Sequence, residues 1–390
     1  MNNKISISEI VKKYTMFIVL AVIMIFFATQ KNGAILFPSN INNLILQNAY
    51  VFILATGMLF CILTGGNIDL SVGSVVCLIG AIGGHLMLNM RVSPLLAIIC
   101  MIVVGALVGA WQGFWIAYVR IPPFIVTLAG MLVFRGASNV VLDGKTLAPM
   151  PEEYLRMFNH YVPDFIGVEG INMTSMIIGI IACVIYVMVT FINRSKRGKK
   201  GYELEPLFGM LARTAVICAV LLFFTYKLSQ YKGIPNVLIW VAVIVAIYYY
   251  ISSKTIIGRH FYAVGGNEKA TKLSGINTNR VYFLAYLNMG ILSAIAAFVT
   301  IARLNSANPT AGMNYEMDAI ASCFIGGASA YGGTGTVPGV IVGALLMGVI
   351  NQGMTIMSVD SNYQRVVKGL VLLAAVIFDV VSKRKTFIAN

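Results

Sequence analysis

The sequence predicts an all-α fold, a polytopic transmembrane helical bundle, and two observations carry that reading. Of 390 residues, 58% are hydrophobic and only 11% are charged, with a mean hydropathy of +0.84. Soluble domains run near ~45–50% apolar and ~25% charged. Apolar runs of ~20 residues also recur from end to end, each long enough to cross ~30 Å of hydrocarbon. A membrane β-barrel would need short alternating strands instead. Membrane lipid is therefore the solvent for most of this surface.

Twelve apolar spans can be drawn, at about 15–29, 44–64, 68–89, 94–119, 121–142, 171–193, 211–229, 234–253, 281–303, 318–332, 337–357 and 363–382. The first lacks a small-x-small cleavage site and leads straight into a second span, as a retained helix does. An even number puts both termini on one side. With that side cytoplasmic, the inner loops hold about twice as many Lys and Arg as the outer ones, where Arg303, Arg365 and Lys368 fall. This is the asymmetry of the positive-inside rule, and it accounts for the net charge of +14 without a nucleic-acid partner. Arg135 is the clearest charge within a span. All six cysteines lie in apolar runs with no CxxC spacing, which reads as buried helix positions.

The whole chain, 1–390, reads as a single transmembrane domain. Its outer loop 143–170 carries the acids Asp143, Glu152, Glu153, Asp164 and Glu169, with Tyr154, Phe158 and Tyr161. An inner loop, Arg194 to Gly201, is a basic run suited to anionic headgroups. The chain also echoes itself. Gly66-Asn67-Ile68-Asp69-Leu70 is matched by Met313-Asn314-Tyr315-Glu316-Met317, and Gly105-Ala106-Leu107 by Gly343-Ala344-Leu345. Two blocks, about 44–142 and 281–382, then form repeats separated by an odd number of spans, so the second is inverted, as in many transporters. The pair about 171–229 is inserted between them. A chance match of small residues stands as the alternative.

Three polar stretches interrupt the apolar pattern. The first holds Asn67, Asp69, Ser71 and Gly73 at the junction of the second and third spans. A carboxylate at bilayer depth costs ~2.5–3.5 kcal/mol on insertion scales, so it faces a cavity, a partner or an interface. Two readings stay open: a broken helix lining a polar path, or simple capping of the third span. The second stretch holds Asn305, Asn308, Glu316 and Asp318 and runs into Gly326-Gly327 and Gly332-Gly333. So many glycines, at ~0.8–1 kcal/mol each in a helix, favour a half-helix and re-entry, with tight helix packing as the alternative.

The third stretch is a polar island, 258–277, with Gly258, Arg259, Gly265, Gly266, Asn267, Glu268, Ala270 and Gly275. Gly265-Gly266-Asn267 invites a phosphate-loop reading, but no strand precedes it and the spacing is wrong. It is better read as a loop with a short helix from Glu268 to Ser274, turned at its ends by glycine. Enzyme signals fail. His85, His160 and His260 are scattered without a metal-binding pair, and no nucleophile elbow appears. No metal and no cofactor is expected, and the chain is not expected to be an enzyme. A carrier driven by an ion gradient would favour titratable groups in mid-span, and the spans hold almost none.

The motifs GGNIDLSVGS, WQGFWIAYVRIPPFIVTLAG, GRHFYAVGGNEKATKLSGIN and ARLNSANPTAGMNYEMDAIASCFIGGASAYGGTGTVPG, in that order, resemble the permease subunits of bacterial ATP-binding-cassette sugar importers. The match runs from about 44 to 385 and covers the ribose, xylose and galactose permeases. The inserted pair makes the chain most similar to the multiple-monosaccharide permeases. The resemblance implies a non-catalytic subunit in the bacterial cytoplasmic membrane, working as a homodimer. Its partners would be a separate ATPase with two nucleotide-binding domains and an extracytoplasmic sugar-binding protein. It implies that the island docks on the ATPase, and that xylose, arabinose, galactose or glucose is the cargo. Nucleosides or another small polar solute remain the alternative, and behind them an ion-coupled secondary carrier. The substrate-path residues would be Asn67, Asp69, Ser71, Gly73, Asn305, Asn308, Glu316 and Asp318.

Overall fold

Proline and short polar side chains start most of the helices. Pro38, Pro94 and Pro123 stand in first turns, where a missing N–H costs nothing. Asn172, Thr255, Asn267, Asn277 and Thr336 accept from backbone amides of the turns they open. The computed structural model describes residues 7–167, 170–202, 204 and 206–388. Glu169 lies outside the described residues. The elements are α1 (Ile7–Gln30), α2 (Pro38–Leu63), α3 (Val72–Gly84, widened into a π turn over His85–Asn89), α4 (Pro94–Ala117), α5 (Pro123–Leu142), α6 (Glu152–Phe158), α7 (Met173–Lys199) and α8 (Leu207–Ser229). They continue as α9 (Asn236–Lys254), α10 (Ile256–Gly266), α11 (Glu268–Leu273), α12 (Thr278–Leu304), α13 (Tyr315–Ile325), α14 (Val337–Ile356) and α15 (Ser361–Ile388). The described part is an all-α polytopic membrane fold.

Nine described helices have the length and apolarity to cross a membrane, against twelve spans drawn from the sequence. The described apolar part of α1 is shorter, at Ile18–Gln30. The tenth expected span is the clearest correction. In place of a crossing over 318–332, α13 has 11 residues and gives way to irregular chain through Gly326–Thr336. Gly327, Gly332 and Gly333 take positive φ there, a conformation that ends a right-handed helix. Lys368, placed outside by the sequence reading, stands within α15 and is turned inward.

The buried centre is α2 against α12. Around them, α3 lies on α12 while α13 lies on α2, and α4 crosses α12 while α14 crosses α2. The outer members, α5 and α15, cover α3 and α13. Small residues set the approach of α4 to α12. A Cβ added at Gly105 would fall 2.6 Å from the Gly290 carbonyl, and one at Gly109 2.5 Å from that of Tyr286. Lipid offers no hydrophobic drive to pair helices, so such close backbone packing supplies the contact. The α7–α8 pair packs chiefly on itself, with Gly179 beneath Thr225, and leaves most of its apolar surface outward. Loop 143–170 is tied to the 305–307 segment by paired backbone hydrogen bonds between Leu147 and Ala307.

Candidate functional site: two re-entrant segments and the island beneath them

Two irregular segments enter the bundle from opposite faces. Residues 64–71 leave α2, turn, and run back inward until Asp69 N lies 3.4 Å from the Met58 sulfur, more than a turn above the helix end. Only then does α3 begin. Residues 305–314 leave α12 at the other face and run down beside α3, with Cys77 Sγ at 3.6 Å from the Asn308 carbonyl. They reach Gly73, where α13 begins. Gly73 and Gly312 meet backbone to backbone, and a Cβ on either would collide with the other's carbonyl. Gly312 also has φ of 73°, which glycine adopts without strain. The starts of α3 and α13 thus meet inside the bundle, where non-helical backbone is tolerated only if protein or a cavity surrounds it.

Of the residues singled out from sequence, Gly73 and Glu316 are brought together, since a Cβ on Gly73 would lie 2.6 Å from Glu316 Oε2. Asp69 is buried, and its Oδ1 accepts from Ser71 N (2.8 Å) and Ser71 Oγ (2.6 Å). Gln112 of α4 donates to the same hydroxyl at 2.6 Å. Arg135 of α5 holds the second segment, donating to the carbonyls of Pro309 (3.1 Å) and Ala311 (2.7 Å). Asp318 is one turn into α13, bound to Tyr50 and Lys368. Asn67, Asn305 and Asn308 lie away from this centre. Asn67 donates to the Thr64 carbonyl (3.0 Å), Asn305 accepts from Met150 N (2.9 Å), and Asn308 closes a turn onto Thr310 (3.1 Å). Tyr50, Gln112 and Lys368 escaped the sequence reading. A lysine in the apolar run 366–378 was the available signal for the last of them.

The island is two helices, not a loop with one. Gly258, expected at a turn, is inside α10, where a side chain would collide with the Ile251 carbonyl. Gly265 is also helical and wedged against the Leu63 carbonyl and the Gly333 amide, which bond to each other at 3.0 Å. Tyr262 donates to the Gly335 carbonyl at 2.9 Å. The island thereby touches both turns at its face of the bundle, the one leading to Asp69 and the one following α13. Gly266 ends α10, and Asn267 caps α11 by accepting from Ala270 N (3.0 Å). The short helix expected from Glu268 is present, and Gly275, with φ of 84°, ends it.

Glu268 turns inward. Its carboxylate meets Arg120 at 2.9 Å and accepts from the Tyr282 hydroxyl at 3.0 Å. Burial alone would raise its pKa, but the hydrogen bonds from Arg120 and Tyr282 and the Arg120 charge outweigh it and hold the carboxyl below the ordinary value. Arg259, Gly266, Lys269, Ala270, Lys272 and Leu273 face outward, Leu273 with 90% of its surface exposed. A cleft of about 470 Å³, lined by His260, Phe261, Ser274, Asn277 and Arg280 among others, opens beside them.

Apolar helices long enough to cross a membrane surround a glycine-rich, internally broken centre, the architecture of a membrane transport protein. The chain belongs to the family described as the branched-chain amino acid transport system / permease component, which it matches over residues 40–376. It is 39% identical to the xylose transport system permease protein of Haemophilus influenzae, over 95% of this chain and 97% of the relative. It is 35% identical to the xylose transport system permease protein of Escherichia coli K12, over 96% and 93%. To the ribose import permease protein of Escherichia coli K12 it is 32% identical, over 87% and 85%. No solved structure matches the chain. It is a non-catalytic permease subunit of an ATP-binding-cassette transporter.

Proposed function

We propose that this chain is the membrane subunit through which a monosaccharide of the xylose class is imported. The observation that carries the reading is the near-complete alignment, 95% of this chain and 97% of the relative, to a xylose permease. The path would run between the two re-entrant segments, past Asp69, Ser71, Gly73, Glu316 and Asp318, with Asn67 near one mouth and Asn305 and Asn308 near the other. A neutral cargo suits a pathway of hydroxyl, amide and backbone partners. Blocks 44–142 and 281–382 act as inverted repeats, and the reciprocal packing of α2 with α14 and α12 with α4 supports this.

Energy enters at the island. Both termini and the island face the cytoplasm in this reading, and the exposed face of α11 docks on an ATPase carrying two nucleotide-binding domains. Closure of that partner pushes α10, and Gly265 transmits the push to the Leu63 and Gly333 turns. Those turns flank the two broken segments, so one motion reaches both and the path alternates its access. A homodimer and a sugar-binding protein outside the membrane complete the machine.

The test is uptake into proteoliposomes of the assembled complex, using labelled xylose with ribose, galactose and a branched-chain amino acid as competitors. Xylose uptake that needs ATP and the binding protein supports the reading. The family description makes the amino acid a second candidate, and preferential leucine uptake would select it.

A further inference from the structure

The second re-entrant segment ends on four side chains whose arrangement fold stability does not explain. Asp318 of α13 is 1% exposed, and its Oδ2 accepts from the Tyr50 hydroxyl at 2.6 Å and from Lys368 Nζ at 2.9 Å. Its other oxygen, Oδ1, is buried without a hydrogen-bond partner. The Tyr50 ring lies flat on that of Tyr315, with centroids 3.4 Å apart and planes 10° from parallel. Three helices from the two blocks, α2, α13 and α15, are joined at this point.

A buried ion pair repays its desolvation only when every lone pair is satisfied, and replacing one by apolar groups is often neutral or stabilising. Within a membrane, ionisable groups mark pathways and moving parts. Here a carboxylate oxygen stays empty, the ammonium has further donors to offer, and two aromatic faces cover each other. Each is a group that a polyhydroxylated ring can use. Carboxylate and ammonium take hydroxyls, and a tyrosine face takes the C–H side of a sugar.

We propose that Tyr50, Tyr315, Asp318 and Lys368 form a gate on the sugar path, closed in this conformation. In the closed state the rings stack on each other and the charges pair. In the open state the rings part, the sugar lies against one of them, and its hydroxyls take the free Asp318 oxygen and Lys368 N–H groups. The gate rests on the import reading above, and it adds Tyr50, Tyr315 and Lys368 to that path.

The test uses the full complex in proteoliposomes and reads labelled xylose uptake as KM and maximal rate. The Asp318→Asn/Lys368→Met double variant removes both charges and keeps the side-chain volumes. It is expected to raise KM at least tenfold, while Lys368→Arg keeps KM within about threefold of wild type. A double variant with wild-type KM and rate would show the pair to be structural and overturn the gate. Should that variant fail to assemble, Tyr50→Cys/Tyr315→Cys gives a second reading, with a short thiol cross-linker and a wild-type control. The variant lacks both rings, so its own reduced form sets the reference. A disulfide-forming cross-link is expected to stop that residual uptake and reductant to return it to the reduced variant's level, and uptake that continues unchanged through the cross-linked pair overturns the proposal. A wild-type complex that takes up no monosaccharide sinks the import reading instead. The gate is then read without sugar, as a cross-linking rate that changes with nucleotide, and a constant rate would overturn it as well.

Discussion

The guanidinium of Arg120, on the turn between α4 and α5, lies 2.9 Å from the carboxylate of Glu268 at the start of α11. Arg120 also donates to Thr278 Oγ1 (3.3 Å) and to Asn279, and sits 5.2 Å over the Tyr282 ring. One residue therefore ties the island to the turn of the first block and to the first turn of α12. A shift of the island that keeps this contact would carry both with it.

The tie has a pH signature. The Glu268 carboxyl is held below its ordinary value, so the stability it contributes is present above the ordinary glutamate range and is lost as pH falls through the lowered value. Both side chains are more than a third exposed, at 43% and 36%, which limits the contribution to about 0.2–1 kcal/mol. Glu268→Gln should lower the melting temperature slightly at pH 7–8. The difference from wild type should shrink as the buffer is taken below pH ~4 and should narrow with added salt. A deficit that persists unchanged at low pH would mean that packing, not charge, supplies the effect.

Leu273 should report on docking. It stands at the end of α11 with 90% of its surface in solvent, between Lys272 and Ser274, and makes no demand on the bundle itself. Leu273→Asp should leave the yield and melting temperature of the isolated permease unchanged. Its affinity for the ATPase should fall about tenfold, the ~1.4 kcal/mol of an ordinary interface anchor. Surface-plasmon binding of the two purified subunits measures this. Unchanged affinity would move the docking surface off α11, toward the cleft beside Arg280.

Gly265 and Gly266 are neighbours with opposite expectations. An alanine at 265 would collide with the Leu63 carbonyl and the Gly333 amide, both backbone and both hydrogen-bonded to each other. A Cβ at 266 meets nothing within 4 Å. Gly265→Ala should destabilise the protein by about 1–3 kcal/mol, the usual range for overpacking, and uncouple ATP hydrolysis from uptake. Gly266→Ala should be neutral or slightly stabilising, because alanine is the better helix former. Equal behaviour of the two variants in thermal melts and uptake would contradict the wedge.

The contrast between these glycines also marks what the sequence could show. Hydropathy identified the long spans, because lipid selects for apolar length and little else. Of the two readings left open for the glycines around Asp69 and after Asp318, the structure shows the broken helix at both. The tenth span was overdrawn for a physical reason. Ala321 to Ala330 is apolar enough to count as membrane, and composition does not register that Gly327 and Gly332 take positive φ. The island's first helix was missed for the reverse reason. Three glycines in 258–266 argue against a helix by propensity, whereas here Gly258 serves contact with Ile251 and Gly265 contact with Leu63 and Gly333. Lys368 was read as an exterior charge because Asp318, its partner, is distant in sequence. Tyr50 looked like one more aromatic in an apolar run. Pairings of that kind depend on which helices meet, and periodicity does not carry that information.

Asp69 is where capping and transport can be separated by experiment. Its Oδ1 accepts from the Ser71 amide and hydroxyl, and Gln112 completes the chain. Asparagine keeps that oxygen, so Asp69→Asn should preserve the junction and melt at or above the wild-type temperature, since a buried charge has been removed. Alanine removes the acceptor and leaves two buried donors unpaired, a cost of about 1–3 kcal/mol each in such settings. If the carboxylate serves only to cap, the amide should transport as well as the acid. The starting amides of α3 favour a negative group, but capping alone does not call for a full charge at 2% exposure. A place on the sugar path predicts that the charge itself matters. The expected outcome is therefore an Asp69→Asn protein that folds and assembles normally yet loses at least tenfold in xylose uptake, with Asp69→Ala losing both uptake and stability. Uptake at the wild-type rate in Asp69→Asn would return the residue to a capping role and take it off the path.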